Sequence, residues 1–172
     1  MKKIALLTAA LIISTISAPA FAGDTDLIGQ YGDWSAHSYK EDGQNVCFMA
    51  STPKTDEGNY TRRGDIFAFV THRKSDGTKN EFSYAAGYAY KKDSEVKISI
   101  DGKWSFTLFT DNENAWTAGP AEDKKLIDAI KRGSKMTVIG YSKRGTKTTD
   151  TYSLKGSSKA HQAIGNACGV SD

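Results

Sequence analysis

Cysteine is scarce in this chain of 172 residues; only Cys47 and Cys168 occur. Histidine is nearly as rare. His37, His72 and His161 are widely separated and lack ligand spacing, so each is expected to be an ordinary surface or turn residue, with no metal and no cofactor. Beyond residue 22 no apolar run is long enough to span a bilayer, so no transmembrane segment is expected in the body of the chain. The signatures of familiar chemistry are missing too. There is no G-x-S-x-G nucleophile elbow, no H-E-x-x-H zinc helix and no G-x-x-x-x-G-K-[ST] phosphate loop.

What the chain does have begins at its start. Lys2 and Lys3 precede a short apolar run, Ile4 to Ile16, and Ala20-Phe21-Ala22 fits the small-x-small cleavage rule. Met1 to Ala22 therefore reads as a cleaved export signal, and residues 23–172 as one domain. Without Lys2 and Lys3 the chain keeps 21 basic against 20 acidic side chains, a net +1. That balance argues against nucleic acid and against a polybasic membrane surface as partners. An even cysteine count in an exported chain favours a Cys47–Cys168 bond, with a reactive thiol as the alternative. A bond across so long a loop contributes roughly 4–5 kcal/mol in the chain-entropy account.

The stretch from Pro120 to Cys168 is the most legible. Pro120 suits a first helical position, and Leu126, Ile127 and Ile130 give a single apolar face. Glu122 and Asp123 in the first turn and Lys131 and Arg132 in the last suit the helix dipole. Gly133 is expected to end the helix in the left-handed conformation. Met136 to Tyr141 reads as an interior strand and Thr148 to Leu154 as an edge or half-exposed one, joined at Arg144-Gly145. Ser157 or Ser158 caps a last helix whose Ala160, Ile164 and Cys168 face inward.

Upstream the pattern is strand and turn. Tyr31 to Tyr39 and Asn45 to Ala50 read as strands, with Asp24 to Gln30 a polar lead-in and Thr52 to Gly64 a long polar loop. Ile66 to Thr71 is apolar on both faces and reads as a strand buried on both sides, or as a central one. Phe82, Tyr84, Tyr88 and Tyr90 put aromatics on a single face, either core or a sugar-stacking platform. Val96, Ile98 and Ile100 face Trp104, Phe106 and Leu108 across Asp101-Gly102. A two-residue loop would put these two sets on opposite faces. A three-residue loop, Ile100-Asp101-Gly102, pairs Ile98 with Trp104 and Val96 with Phe106, with both aromatics buried. Trp116 stands alone in a second polar loop, Thr110 to Gly119. About eight strands with regular turns, and two short helices in the C-terminal third, read as a mainly β chain folded as a β-sandwich.

Few side chains offer themselves for function. Tyr60, Arg62 and Arg63 cluster in a loop, as an anionic phosphate or acidic sugar would need, or as a solvated loop would have them. With Trp116 they are the residue types that dominate interface hot spots, against the alternative that Trp116 lids the core. Asn59-Tyr60-Thr61 matches a glycosylation sequon. Asp56, Glu57, Asp111 and Glu113 are loop carboxylates, able to do acid-base work only if two converge. No catalytic residue is assigned.

Several features coincide: Gly32-Asp33-Trp34, Cys47 on the second strand, the helix end from Leu126 to Gly133, and Thr151-Tyr152-Ser153-Leu154-Lys155-Gly156 before a short helix and Cys168. Together they resemble the invasion-associated locus B family of alphaproteobacterial envelope proteins. Ser157 stands where members of that family often carry a bulky aromatic. The resemblance implies an immunoglobulin-like β-sandwich, exported, without catalytic residues, and associated in some pathogens with entry into host cells. The expected role is a non-enzymatic envelope or surface protein that binds a protein or glycan partner. The alternatives are a periplasmic factor for envelope assembly or cell-wall glycan binding, and a hydrolase using loop carboxylates. The expected location is the periplasm, with outer-membrane association or secretion left open.

Overall fold

The computed structural model describes residues 25–170, so the expected signal segment lies outside the described residues. The elements are β1 (Asp26–Tyr31), β2 (Trp34–Glu41), β3 (Gln44–Ser51), β4 (Thr55–Gly58), β5 (Phe67–Arg73), β6 (Thr78–Ala85), β7 (Glu95–Ile100), β8 (Trp104–Asp111), β9 (Asn114–Trp116), α1 (Pro120–Arg132), β10 (Lys135–Tyr141), β11 (Lys147–Ser153) and α2 (Ser157–Cys168). All eleven strands belong to a single antiparallel ladder in the order β1-β2-β3-β5-β6-β9-β8-β7-β10-β11-β4. The mainly β class holds, but strand pairing does not divide into the two sheets of a sandwich, and the described residues form eleven strands rather than about eight. The additional strands are β1, β4 and β9, all read from sequence as polar lead-in or loop. β4 is exposed at all four positions, so it carries none of the alternation that reveals a strand.

The ladder curls back over its inner face. Trp34 of β2 donates its indole N–H to the Ser153 carbonyl of β11 at 3.1 Å, although those strands lie far apart in the pairing order. Tyr84 of β6 meets Tyr152 of β11 edge-on at 6.3 Å. The space between is filled by Trp34, Met49, Phe82, Ile98, Leu108, Met136 and their neighbours, with Leu126, Ile127 and Ile130 of α1 and Ala160 and Ile164 of α2. Strand side chains alternate in and out because the strand repeat is two. In β5 the inner set is Ala68, Val70 and His72. Phe67 and Phe69, expected to be buried, are half-buried on the outer side, where Phe69 meets Phe48 at 6.0 Å.

The β7–β8 hairpin has the shared apolar face that burial requires, in a register shifted from the expected one. Ile100 pairs Trp104, Ile98 pairs Phe106 and Val96 pairs Leu108. The three loop residues are Asp101, Gly102 and Lys103, and Lys103 N–H bonds the Ile100 carbonyl at 2.9 Å. Asp101 and Gly102 both have positive φ, which an Asp-Gly pair tolerates. The Asp101 carboxylate then accepts the backbone N–H groups of Ser134 and Lys135. Trp104 and Phe106 are half-buried rather than buried, packed against the rim of the core.

α1 matches its expected span, while its end is built differently from expectation. Gly133 is extended, not left-handed, at φ −85°. A Cβ there would lie 2.4 Å from Ile100 Cγ2, so this glycine serves close approach. α2 is capped by Gly156 rather than by a serine. Gly156 has φ +95°, and a Cβ there would sit 1.7 Å from the Tyr31 carbonyl oxygen. Ser157 and Ser158 instead donate their hydroxyls to the Ile130 and Lys131 carbonyls, two of the groups that the end of α1 leaves unpaired. The β11 strand, expected as an edge or half-exposed strand, is paired by β4 and so is not an edge; it is half-exposed, burying Thr148, Asp150 and Tyr152 on alternate positions.

Candidate functional site

Cys47 and Cys168 are bonded, with Cα atoms 5.9 Å apart. That spacing lies within the range a disulfide bridges. The bond ties the end of α2 to β3 across a separation of 121 residues. Nearby, His72 and His161 are buried with ring centroids 5.4 Å apart, which corrects their expected surface placement. His37 stacks on Phe48 at 5.0 Å, and burial lowers its pKa. Among the described residues no group of three or more histidine, cysteine, aspartate or glutamate side chains is placed to hold a metal ion, and no helix is long and apolar enough to cross a membrane.

The Tyr60-Arg62-Arg63 cluster splits. Arg63 turns inward, and its side chain is 3% exposed. Its guanidinium makes a two-pronged pair with Asp150 at 2.6 and 2.7 Å, and its Nε donates to the Ala86 carbonyl at 2.7 Å. Tyr84 also donates its hydroxyl to Asp150. Burial alone would push the guanidinium pKa down, but the hydrogen bonds and charge of Asp150 outweigh it and hold Arg63 above its ordinary value. The Tyr84 hydroxyl is pushed up, first by burial and then by Tyr152 and Asp150. Arg63 is therefore part of the core.

Arg62 turns outward. It lines a cleft of about 580 Å³ between the segment after β4 and the β10–β11 turn. Tyr60 and Tyr88 form part of the wall, and Arg62, Lys143 and Arg144 bring positive charge. The Arg63 guanidinium lies 5.5 Å from the Tyr60 ring centre and 4.9 Å from that of Tyr88, holding both rings. Tyr88 and Thr148 share a hydroxyl hydrogen bond of 2.6 Å, and Tyr60 donates to Asp56 at 2.6 Å. Burial is the main cause of a raised pKa for both phenols. Backbone bonds fix the walls: Lys143 N–H to Ala89 at 2.7 Å, and Gly64 N–H to Gly87 at 2.8 Å.

The sequence grouped Tyr60 with both arginines; the structure leaves Arg62 beside Tyr60 on the cleft wall and puts Arg63 beneath its ring, and it adds Lys143, Arg144 and Asp150, which the sequence did not single out. Of the aromatic stripe, Phe82, Tyr84 and Tyr90 are core, and Tyr88 alone lines the cleft. A signal for Asp150 existed: it shares strand parity with Thr148 and Tyr152, so a carboxylate on that face needs a buried partner.

Trp116 lies elsewhere. It is the last residue of β9, pairs with both Ser83 and Phe109, and is half-buried. Its ring stacks at 5.9 Å on that of Phe109, which is 54% exposed. It is therefore neither a loop residue nor a lid covered on both faces by the core. The carboxylates Asp56 and Glu57 fall on β4, Asp111 on β8 and Glu113 in the turn before β9; among the described residues no carboxylate lines the cationic cleft.

With this geometry in place, comparison with known proteins gives the class. The model of the invasion associated locus B (IalB) family matches residues 34–165, and the chain belongs to that family. Among solved structures, that of invasion associated protein B from Bartonella henselae is similar, with a TM-score of 0.57 at 18% identity, covering 81% of this chain and 95% of that one. At that identity the likeness concerns the fold. No curated protein matches the chain.

Proposed function

We propose that this protein is an exported envelope protein that acts by binding a partner at the cell surface, without catalysis, and contributes to host-cell contact where its bacterium makes such contact. The observation that carries this reading is the family match over residues 34–165. The paired cysteines fit an oxidising compartment outside the cytoplasm. The Phe109–Trp116 stack offers exposed aromatic surface of the type that anchors interfaces. Tyr60 and Arg62 offer the same residue types on the cleft wall, while Arg63 supports them from within.

A second reading, a periplasmic protein that binds a cell-wall glycan, draws on the cationic, tyrosine-lined cleft. Protease shaving of intact cells, followed by fractionation, separates the two. Loss of the protein from intact cells supports surface display. Full protection until the outer membrane is opened favours the periplasmic reading and overturns the first.

A further inference from the structure

The cleft has three features that together specify a ligand class. Its positive charge is uncompensated. Arg62, Lys143 and Arg144 are exposed, no carboxylate lines the cleft, and none of the three has an ion-pair partner among the described residues. Many exposed lysines of the described residues also lack an ion pair; what distinguishes these three is that they line one concave site. Two of the three free cations are arginines, whose planar fork suits phosphate, sulfate or carboxylate oxygens.

The second feature is a wall built of tyrosine. Tyr60 and Tyr88 are clasped by one buried guanidinium and tethered through their hydroxyls, so the rings are ordered before any ligand arrives. Such preorganisation lowers the entropy lost on binding. Flat apolar faces beside hydroxyl groups suit a pyranose, which presents C–H groups on its faces and hydroxyls at its edge. The third feature is size. About 580 Å³ falls within the roughly 300–1,000 Å³ of small-ligand sites and is more than a bare inorganic anion fills. A nucleic acid would call for an extended basic stripe, whereas this chain is close to neutral without Lys2 and Lys3.

We propose that the cleft between the segment after β4 and the β10–β11 turn binds an anionic sugar, with Tyr60 and Tyr88 against the ring and Arg62 and Arg144 on its phosphate, sulfate or carboxylate group. This assigns a ligand class to the partner-binding function proposed above and rests on it. The shared chemistry is a charged pyranose, whose source is either a phosphorylated bacterial saccharide or a sulfated uronic-acid saccharide of a host surface.

Calorimetric titration of the purified protein tests it with four probes: a glucosamine-phosphate disaccharide, a heparin tetrasaccharide, neutral chitobiose and a ten-residue oligothymidylate. Binding of either charged saccharide, at least about tenfold tighter than chitobiose, supports the assignment, and the preferred one names the source. The double substitution Arg62→Ala, Arg144→Ala should weaken that binding by about tenfold or more, flatten its salt dependence and leave the melting temperature unchanged. Arg62→Glu, which also keeps the fold, should abolish it. Equal binding of chitobiose, tighter binding of the oligothymidylate, undiminished binding by the double variant, or no binding at all overturns the assignment. If surface capture of a partner persists in the double variant while no saccharide binds, the cleft assignment fails and the partner-binding function stands.

Discussion

Two adjacent arginines have opposite fates in this protein, and nothing local distinguishes them. Arg62 faces solvent, while Arg63 is clamped to Asp150, 87 residues further on. A sequence window cannot register a partner at that separation, which is why the cluster was legible as a group and its division was not. The difference is measurable. Arg63→Ala leaves Asp150, 1% exposed, as an unpaired buried charge. It should cost about 3–5 kcal/mol in urea melts, whereas Arg62→Ala should stay within about 0.5 kcal/mol. Equal effects would show that the pair is not the anchor of the cleft. Asp101 gives a pH-dependent test. Backbone N–H groups of Ser134 and Lys135 hold its pKa below the ordinary 3.8. A lowered carboxylate contributes stability that is present above its unfolded value and lost as pH falls through the folded one. Asp101→Asn keeps a side chain that tolerates the positive φ. Its melting temperature should fall below that of the parent protein at neutral pH, and the gap should close on acidification beneath about pH 4. A gap that widens with acid would reverse the sign of the argument.

The elements divide by how much they bury. The span of α1 was legible because its proline start, apolar face and terminal charges agree, while the extended conformation of Gly133 at its end was not. The shared face of β7 and β8 was legible because burial permits one parity only, while the register was not, since slipping by two residues preserves that parity. β4 and β9 were invisible for a different reason. They are four and three residues long, and their identity comes from the strands beside them, β11 for one and β6 and β8 for the other. The cysteine pairing was legible through the expected export signal and an even cysteine count, and it seats α2 on β3. Reduction should therefore release α2 first. With the bond absent, as in a Cys47→Ala, Cys168→Ala variant, stability should fall by roughly 4–5 kcal/mol in the chain-entropy account, with hydrogen exchange rising first in residues 157–168. Uniform exchange along the chain would contradict that order.

At the scale of the whole molecule, one curled sheet carries two surfaces of different character: a cationic tyrosine cleft beside the β10–β11 turn, and an exposed aromatic stack on β8 and β9. The proposed export would place both outside the cytoplasm, and removal of Met1 to Ala22 should then leave Gly23 as the first residue. Intact-mass measurement of the cell-derived protein checks this, and retention of the leader would contradict it. The central claim is that the protein works by engaging a partner at the cell surface. Its most direct test is site-directed photo-crosslinking on intact cells, with the reactive group placed in turn at Thr61 and Lys143 on the cleft wall, at Trp116 on the aromatic stack, and at exposed Lys124 on α1 as a control. The account predicts a shifted species, a discrete band for a protein or a smear for a glycan, from at least one of the first three positions and none from Lys124. No shifted species from any position, or the same species from Lys124, would contradict it.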